Sequence, residues 1–127
     1  MPISFARLQE YLDKIGPTAG NAPHGRFWNK SYQIFTSGNV PGVDCEDAQI
    51  PIINKADFEA SAFLTILETA DGFCDKPQMP AFARKVTQPG YSIKLNDGSL
   101  VTGAQILRDV HEWLAAKAPE RSEDKLS

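Results

Sequence analysis

Two histidines, two cysteines and one internal methionine are the side chains best suited to chemistry: His24, His111, Cys45, Cys74 and Met79. Imidazole nitrogen, thiolate and thioether sulfur are ligands for copper or iron. Their spacing limits what they can build. The cysteines form no CxxC pair, which removes the zinc-ribbon and thioredoxin patterns. Two free thiols in a reducing compartment and one disulfide in an exported protein both stay open. A metal site made from both cysteines and both histidines would draw its ligands from across the chain. His24 sits in a glycine- and proline-rich loop, Gly16-Pro-Thr-Ala-Gly-Asn-Ala-Pro-His-Gly-Arg26. An imidazole there ordinarily makes loop hydrogen bonds. His111 falls one residue past the core position Val110, where an exposed or half-buried side chain is expected.

Nucleophilic catalysis finds little support. Either thiol can be paired on paper with His24 or His111, but no catalytic context flanks Cys45 or Cys74. Ser37-Gly38 and Ser99 lack a nucleophile elbow. No glycine-rich phosphate loop is present. Asp44, Glu46 and Asp47 could hold a hard cation, although such a trio more commonly forms a solvated loop. The expectation is a chain that is not an enzyme.

The elements that position these residues belong to one domain. The 127 residues are 42% hydrophobic and 23% charged, a globular balance. A chain of this length buries roughly two-thirds of the surface it would expose unfolded. Thirteen basic and 16 acidic residues give a net charge of -3, which offers no footprint for nucleic acid. No apolar run approaches the ~20 residues of a membrane span. The start, Met1-Pro-Ile-Ser-Phe-Ala-Arg7, lacks a basic segment followed by an apolar one. A cytoplasmic location is therefore expected, or a periplasmic one if a leader has been removed.

Periodicity predicts four helices. Ser4 caps the first, Phe5, Leu8, Leu12 and Ile15 form its face, and Gly16-Pro17 stops it. Trp28, Tyr32 and Phe35 suggest a short second helix ending at Gly38-Asn39. Residues 39–57 are mixed, with an extended stretch at Ile50-Pro51-Ile52-Ile53. A third helix is predicted from Asp57 to Thr69, followed by an irregular strap over 71–90. Tyr91, Ile93 and Leu95 alternate before the turn Asn96-Asp97-Gly98, which predicts a hairpin. Thr102 and Gln105 match a capping box for the last helix, which Ala118-Pro119 ends. Residues 1–119 form the predicted domain and 120–127 a charged tail.

Four of these segments, in this order, resemble the cytochrome c superfamily. They are the first helix with the loop to His24-Gly25, and the run Ile50-Pro51 to Ser61 leading into a helix. Gln78-Met79-Pro80 then looks like a loop carrying an axial methionine. Last comes Ile106 to Glu120, with Trp113-Leu114 and Ala118-Pro119, similar to the family's terminal helix. The resemblance implies a mainly α, cytochrome c-like bundle of about four helices with one small β-hairpin near residues 91–101. It also implies His24 and Met79 as candidate axial ligands, with Trp28 and Phe82 lining the same cofactor cleft.

The chain departs from that family where haem is attached. Covalent attachment needs CxxCH, since two thiols add to the porphyrin vinyl groups beside the ligating histidine. Gly20 and Pro23 stand at the thiol positions before His24. Lys117 stands where the family often has glycine, and the hairpin is an addition. Loss of haem would leave a cavity that costs stability in proportion to its volume. Phe27, Trp28, Tyr32, Phe35, Phe63, Phe82 and Trp113 are large enough to refill it. The expected function is thus a haem-free binding or interaction module with a protein partner and no cofactor. A second reading is an electron-transfer protein holding haem non-covalently through His24 and Met79. A third is a mononuclear copper site using His24 with Met79 or a cysteine.

Overall fold

A computed structural model describes residues 3–15, 28–45, 47–69, 72–73, 78–79 and 85–120. Helix α1 spans Phe5–Ile15 and buries Phe5, Leu8, Tyr11, Leu12 and Ile15 along one face. Its start follows from Ser4, whose Oγ accepts the Arg7 N–H at 3.1 Å. Helix α2, Tyr32–Ser37, begins later than the Trp28 spacing predicts. Ser31 is the reason, because its hydroxyl accepts the Ile34 N–H and so sets the first turn.

The chain then makes a hairpin where only a mixed segment is expected. Strand β1, Asn39–Cys45, pairs antiparallel with β2, Ala48–Pro51, with Cys45 opposite Ala48 and Asn39 opposite Pro51. An irregularity in register lies between Asn39 and Asp44. Asp47 takes a left-handed backbone, φ 67°, at the connection. Aspartate tolerates that conformation better than most residues.

The predicted third helix is divided. A 3-10 turn occupies Phe58–Ala60, and helix α3 spans only Ala62–Glu68. Ser61 separates them. Its fully buried hydroxyl donates to the Phe58 carbonyl at 2.7 Å and accepts the Asn54 N–H at 2.9 Å. The Asn54 side chain also accepts the Ala56 and Asp57 N–H groups, winding 54–61 into a tight loop rather than a first helical turn.

The second hairpin matches expectation. Strand β3, Ser92–Lys94, pairs antiparallel with β4, Leu100–Thr102, and Gly98 supplies the positive φ (91°) of the turn. Helix α4, Gly103–Ala115, follows at once, capped by Thr102, whose Oγ1 accepts the Gln105 N–H at 3.2 Å. The predicted reciprocal bond of the capping box is replaced. Gln105 donates instead to Asp109 Oδ1 at 2.6 Å and accepts from Arg108.

The fold class therefore differs from the expected mainly α, cytochrome c-like bundle with one hairpin. Among the described residues four α-helices accompany two separate two-stranded antiparallel sheets, a small mixture of α and β. Backbone pairing of 39–45 with 48–51 makes the difference. Pro41, Gly42 and Ala48 hide those strands from a propensity reading.

Helices α1, α2, α3 and α4 contribute one aromatic ring or more to a common core. The Phe35 ring lies 5.2 Å from Phe5, 5.6 Å from Phe63 and 6.3 Å from Trp113. Phe5 also meets Tyr32 edge-on at 5.5 Å and stacks on Trp113 at 6.5 Å. Phe35 and Trp113 are fully buried. Such tilted and edge-on pairs add about 0.5–1.5 kcal/mol each beyond their area burial.

The end of α4 is stitched back onto this core. Ala118 N–H donates to the Trp113 carbonyl and Lys117 N–H to the Leu114 carbonyl, each at 2.9 Å, which is a Schellman closure. The Trp113 indole N–H donates to the Pro119 carbonyl at 2.8 Å, and the Tyr32 hydroxyl to the Ala118 carbonyl. Phe5 N–H reaches the Glu120 carbonyl at 2.9 Å. This bond joins the start of α1 to the residue after Pro119. No helix of the described residues is long and apolar enough to cross a membrane.

Candidate functional site

Two of the four residues expected to face a cofactor, His24 and Phe82, lie outside the described residues. The other two are anchored on different helices. Trp28 is buried beside α1, its indole N–H donating to Asp13 Oδ1 at 2.7 Å. Gln9 fixes the adjoining backbone by donating to the Trp28 carbonyl at 2.7 Å and the Lys30 carbonyl at 3.2 Å. Met79 is held at the end of α3, with its N–H donating to the Ile66 carbonyl at 2.9 Å. Its side chain is half-buried against the core. Gln78 completes this seal, giving its amide to the Leu67 carbonyl at 2.8 Å and to Thr87 Oγ1 at 2.9 Å. The Gln78-Met79 pair thus satisfies carbonyls that the last turn of α3 leaves without helical partners.

Cys45 closes β1 and is disulfide-bonded, so of the two open readings for its sulfur the free thiol does not hold. Cys74 lies outside the described residues. Of the acidic trio, Asp47 is exposed. Among the described residues no three histidine, cysteine or acidic side chains gather as a metal site.

Along α1 runs an open polar groove of about 370 Å³, lined by Gln9, Glu10, Asp13, Lys14, Asn29 and Asn96. Its walls are ordered by hydrogen bonds. The Asn96 N–H donates to Glu10 Oε2 at 2.6 Å, tying the β3–β4 turn to α1. Asn29 donates its side-chain amide to Asp13 Oδ1 at 3.1 Å. Carboxylates, carboxamides and one ammonium make a surface that can exchange hydrogen bonds with a polar ligand. Deeper in the same helix Tyr11 donates to Asp109 Oδ2 at 2.6 Å, joining α1 to α4. Burial and then this bond to a carboxylate push the phenol above its ordinary range, so it stays protonated.

Among the described residues the most concentrated charge chemistry lies elsewhere. His111 on α4 places Nδ1 3.0 Å from Glu59 Oε1 and Nε2 2.7 Å from Glu68 Oε1. Glu59 comes from the 3-10 turn and Glu68 from the last residue of α3. Sequence reasoning places His111 as exposed or half-buried, and its side chain is 37% exposed, but that reasoning misses both partners. They come from separate elements, so no spacing along the chain announces the constellation. Comparison with protein families, curated proteins and solved structures finds no match for the chain.

Proposed function

We propose that this chain is a non-catalytic binding module with a haem-free interior, working through polar contacts with a protein partner. The aromatic cluster of Phe5, Tyr32, Phe35, Phe63 and Trp113 carries this reading. These rings occupy the space among the four helices, where a buried macrocycle would otherwise have to fit. Cores are packed as densely as organic crystals, so rings already in contact at these distances leave little volume to give up. The described residues thus fit a protein-filled core better than a porphyrin pocket, and Met79 serves as a half-buried filler that seals α3. The open groove on α1 supplies a face for recognition, its side chains already held by Asn96 and Trp28 neighbours and so pre-organised. The disulfide at Cys45 favours the oxidising location over the cytoplasmic one.

Titration with hemin, followed by absorbance, tests the reading. The expected result is a spectrum that sums free hemin and protein. A saturable Soret band from a bound six-coordinate haem, lost in both His24→Ala and Met79→Ala, would replace this proposal with non-covalent haem binding.

A further inference from the structure

We propose that Glu59, His111 and Glu68 form a proton-operated clamp: with both ring nitrogens protonated, His111 holds the 3-10 turn and α3 onto α4, and loss of one proton releases the turn. The geometry carries the argument. A neutral imidazole has one N–H and one bare lone pair, while an ionised carboxylate only accepts. With carboxylate oxygens 3.0 and 2.7 Å from the two nitrogens, a neutral ring would set a lone pair against one of them. Both contacts become hydrogen bonds only when the ring is an imidazolium. Charge-assisted bonds of that kind are roughly twice as strong as neutral ones.

The two arms are unequal. Glu68 makes the shorter contact and its side chain is 29% exposed, against 50% for Glu59. The single N–H of the neutral ring therefore stays on Nε2, facing Glu68. Glu59 loses its donor, and the proton leaves to solvent. The released segment is Phe58–Ala60, whose Phe58 packs against the core and whose carbonyl Ser61 retains. The response is thus a loosening of one turn and not an unfolding of α3.

The surroundings favour the charged ring. Burial alone disfavours the imidazolium, but the hydrogen bonds and negative charges of Glu68 and Glu59 outweigh it, and the ring titrates above its ordinary value of 6.5. These two carboxylates are the charges facing it from the 3-10 turn and from α3. On α4 itself Arg108 is turned to Gln105, and the exposed Glu112 follows His111 in the chain. The sign follows from linkage. A group whose proton is held more tightly in the folded state stabilises that state fully below its unfolded value. The contribution disappears as pH climbs through the folded value.

Proton NMR of the full chain reads the imidazole directly, with His24→Asn separating the only two histidine signals. His111 is expected to titrate above 6.5, and Glu59→Gln is expected to move it downward. Thermal midpoints at pH 6 and pH 9 should fall further for the native chain than for Glu59→Gln, because other titrating groups are common to both. A native His111 that titrates at or below 6.5 overturns the clamp without any variant being made. So does an unchanged titration in Glu59→Gln, or an equal fall in both midpoints.

Discussion

Lys117 follows the last turn of α4 with φ at 69°, and Ala118 keeps the same hand at 55°. A left-handed backbone costs a residue with a Cβ roughly 1–2 kcal/mol, whereas glycine adopts it freely. Part of that gain is lost to the larger freedom of glycine in the unfolded chain. Lys117→Gly should therefore raise unfolding stability by about 0.5–1 kcal/mol, measured as a higher urea midpoint at unchanged slope. Ala118 is a poorer target because it is buried, so glycine there would also remove a packed methyl group. The stop at Ala118-Pro119 was legible in the sequence, since proline cannot continue a helix. The strain at Lys117 was not. A lysine is an ordinary helix former, and its left-handed backbone belongs to the Schellman closure made by the Lys117 and Ala118 N–H groups. Ser61 stands at the head of α3, as its N-cap residue. Its hydroxyl serves the preceding loop instead, accepting the Asn54 N–H and donating to the Phe58 carbonyl, and caps no amide of α3.

At the scale of elements, the junction between β4 and α4 depends on a close approach. A Cβ on Gly103 would sit 2.0 Å from the Val86 carbonyl oxygen and 3.4 Å from the Tyr91 ring. Gly103 N–H also donates to the Tyr91 carbonyl, so the helix cannot slide away without losing that bond. Gly103→Ala should cost at least the 1–3 kcal/mol typical of overpacking, seen as a lower denaturation midpoint. Strong periodicity made α1, α4 and the β3–β4 hairpin legible, as their apolar residues recur at the helical or strand spacing. Hairpin β1–β2 was missed because its strands carry little alternation and β2 buries only Ile50. The start of α3 was misplaced for another reason. A helix is predicted from Asp57, yet Ser61 ends the 3-10 turn and begins α3.

At the scale of the molecule, aromatic packing joins the four helices of the described residues. Trp28 is buried in the same core and fixed to α1 through Asp13. Trp28→Ala should cost on the order of 3–5 kcal/mol, the usual loss for a buried large aromatic. A neutral effect in chemical denaturation would show that it covers the core without supporting it. That several aromatics fill the interior was legible from composition and the face of each helix. Which of them meet was not, since Phe5 and Trp113 are separated by nearly the whole sequence. The same distance hid the His111 constellation, whose carboxylates answer to tertiary docking. One consequence of the bond between Phe5 and Glu120 concerns architecture on a larger scale. Phe5 and Glu120 meet at one point, so a host loop joined at these two residues should hold the intervening chain like a bead on a closed loop of string, without being pried apart.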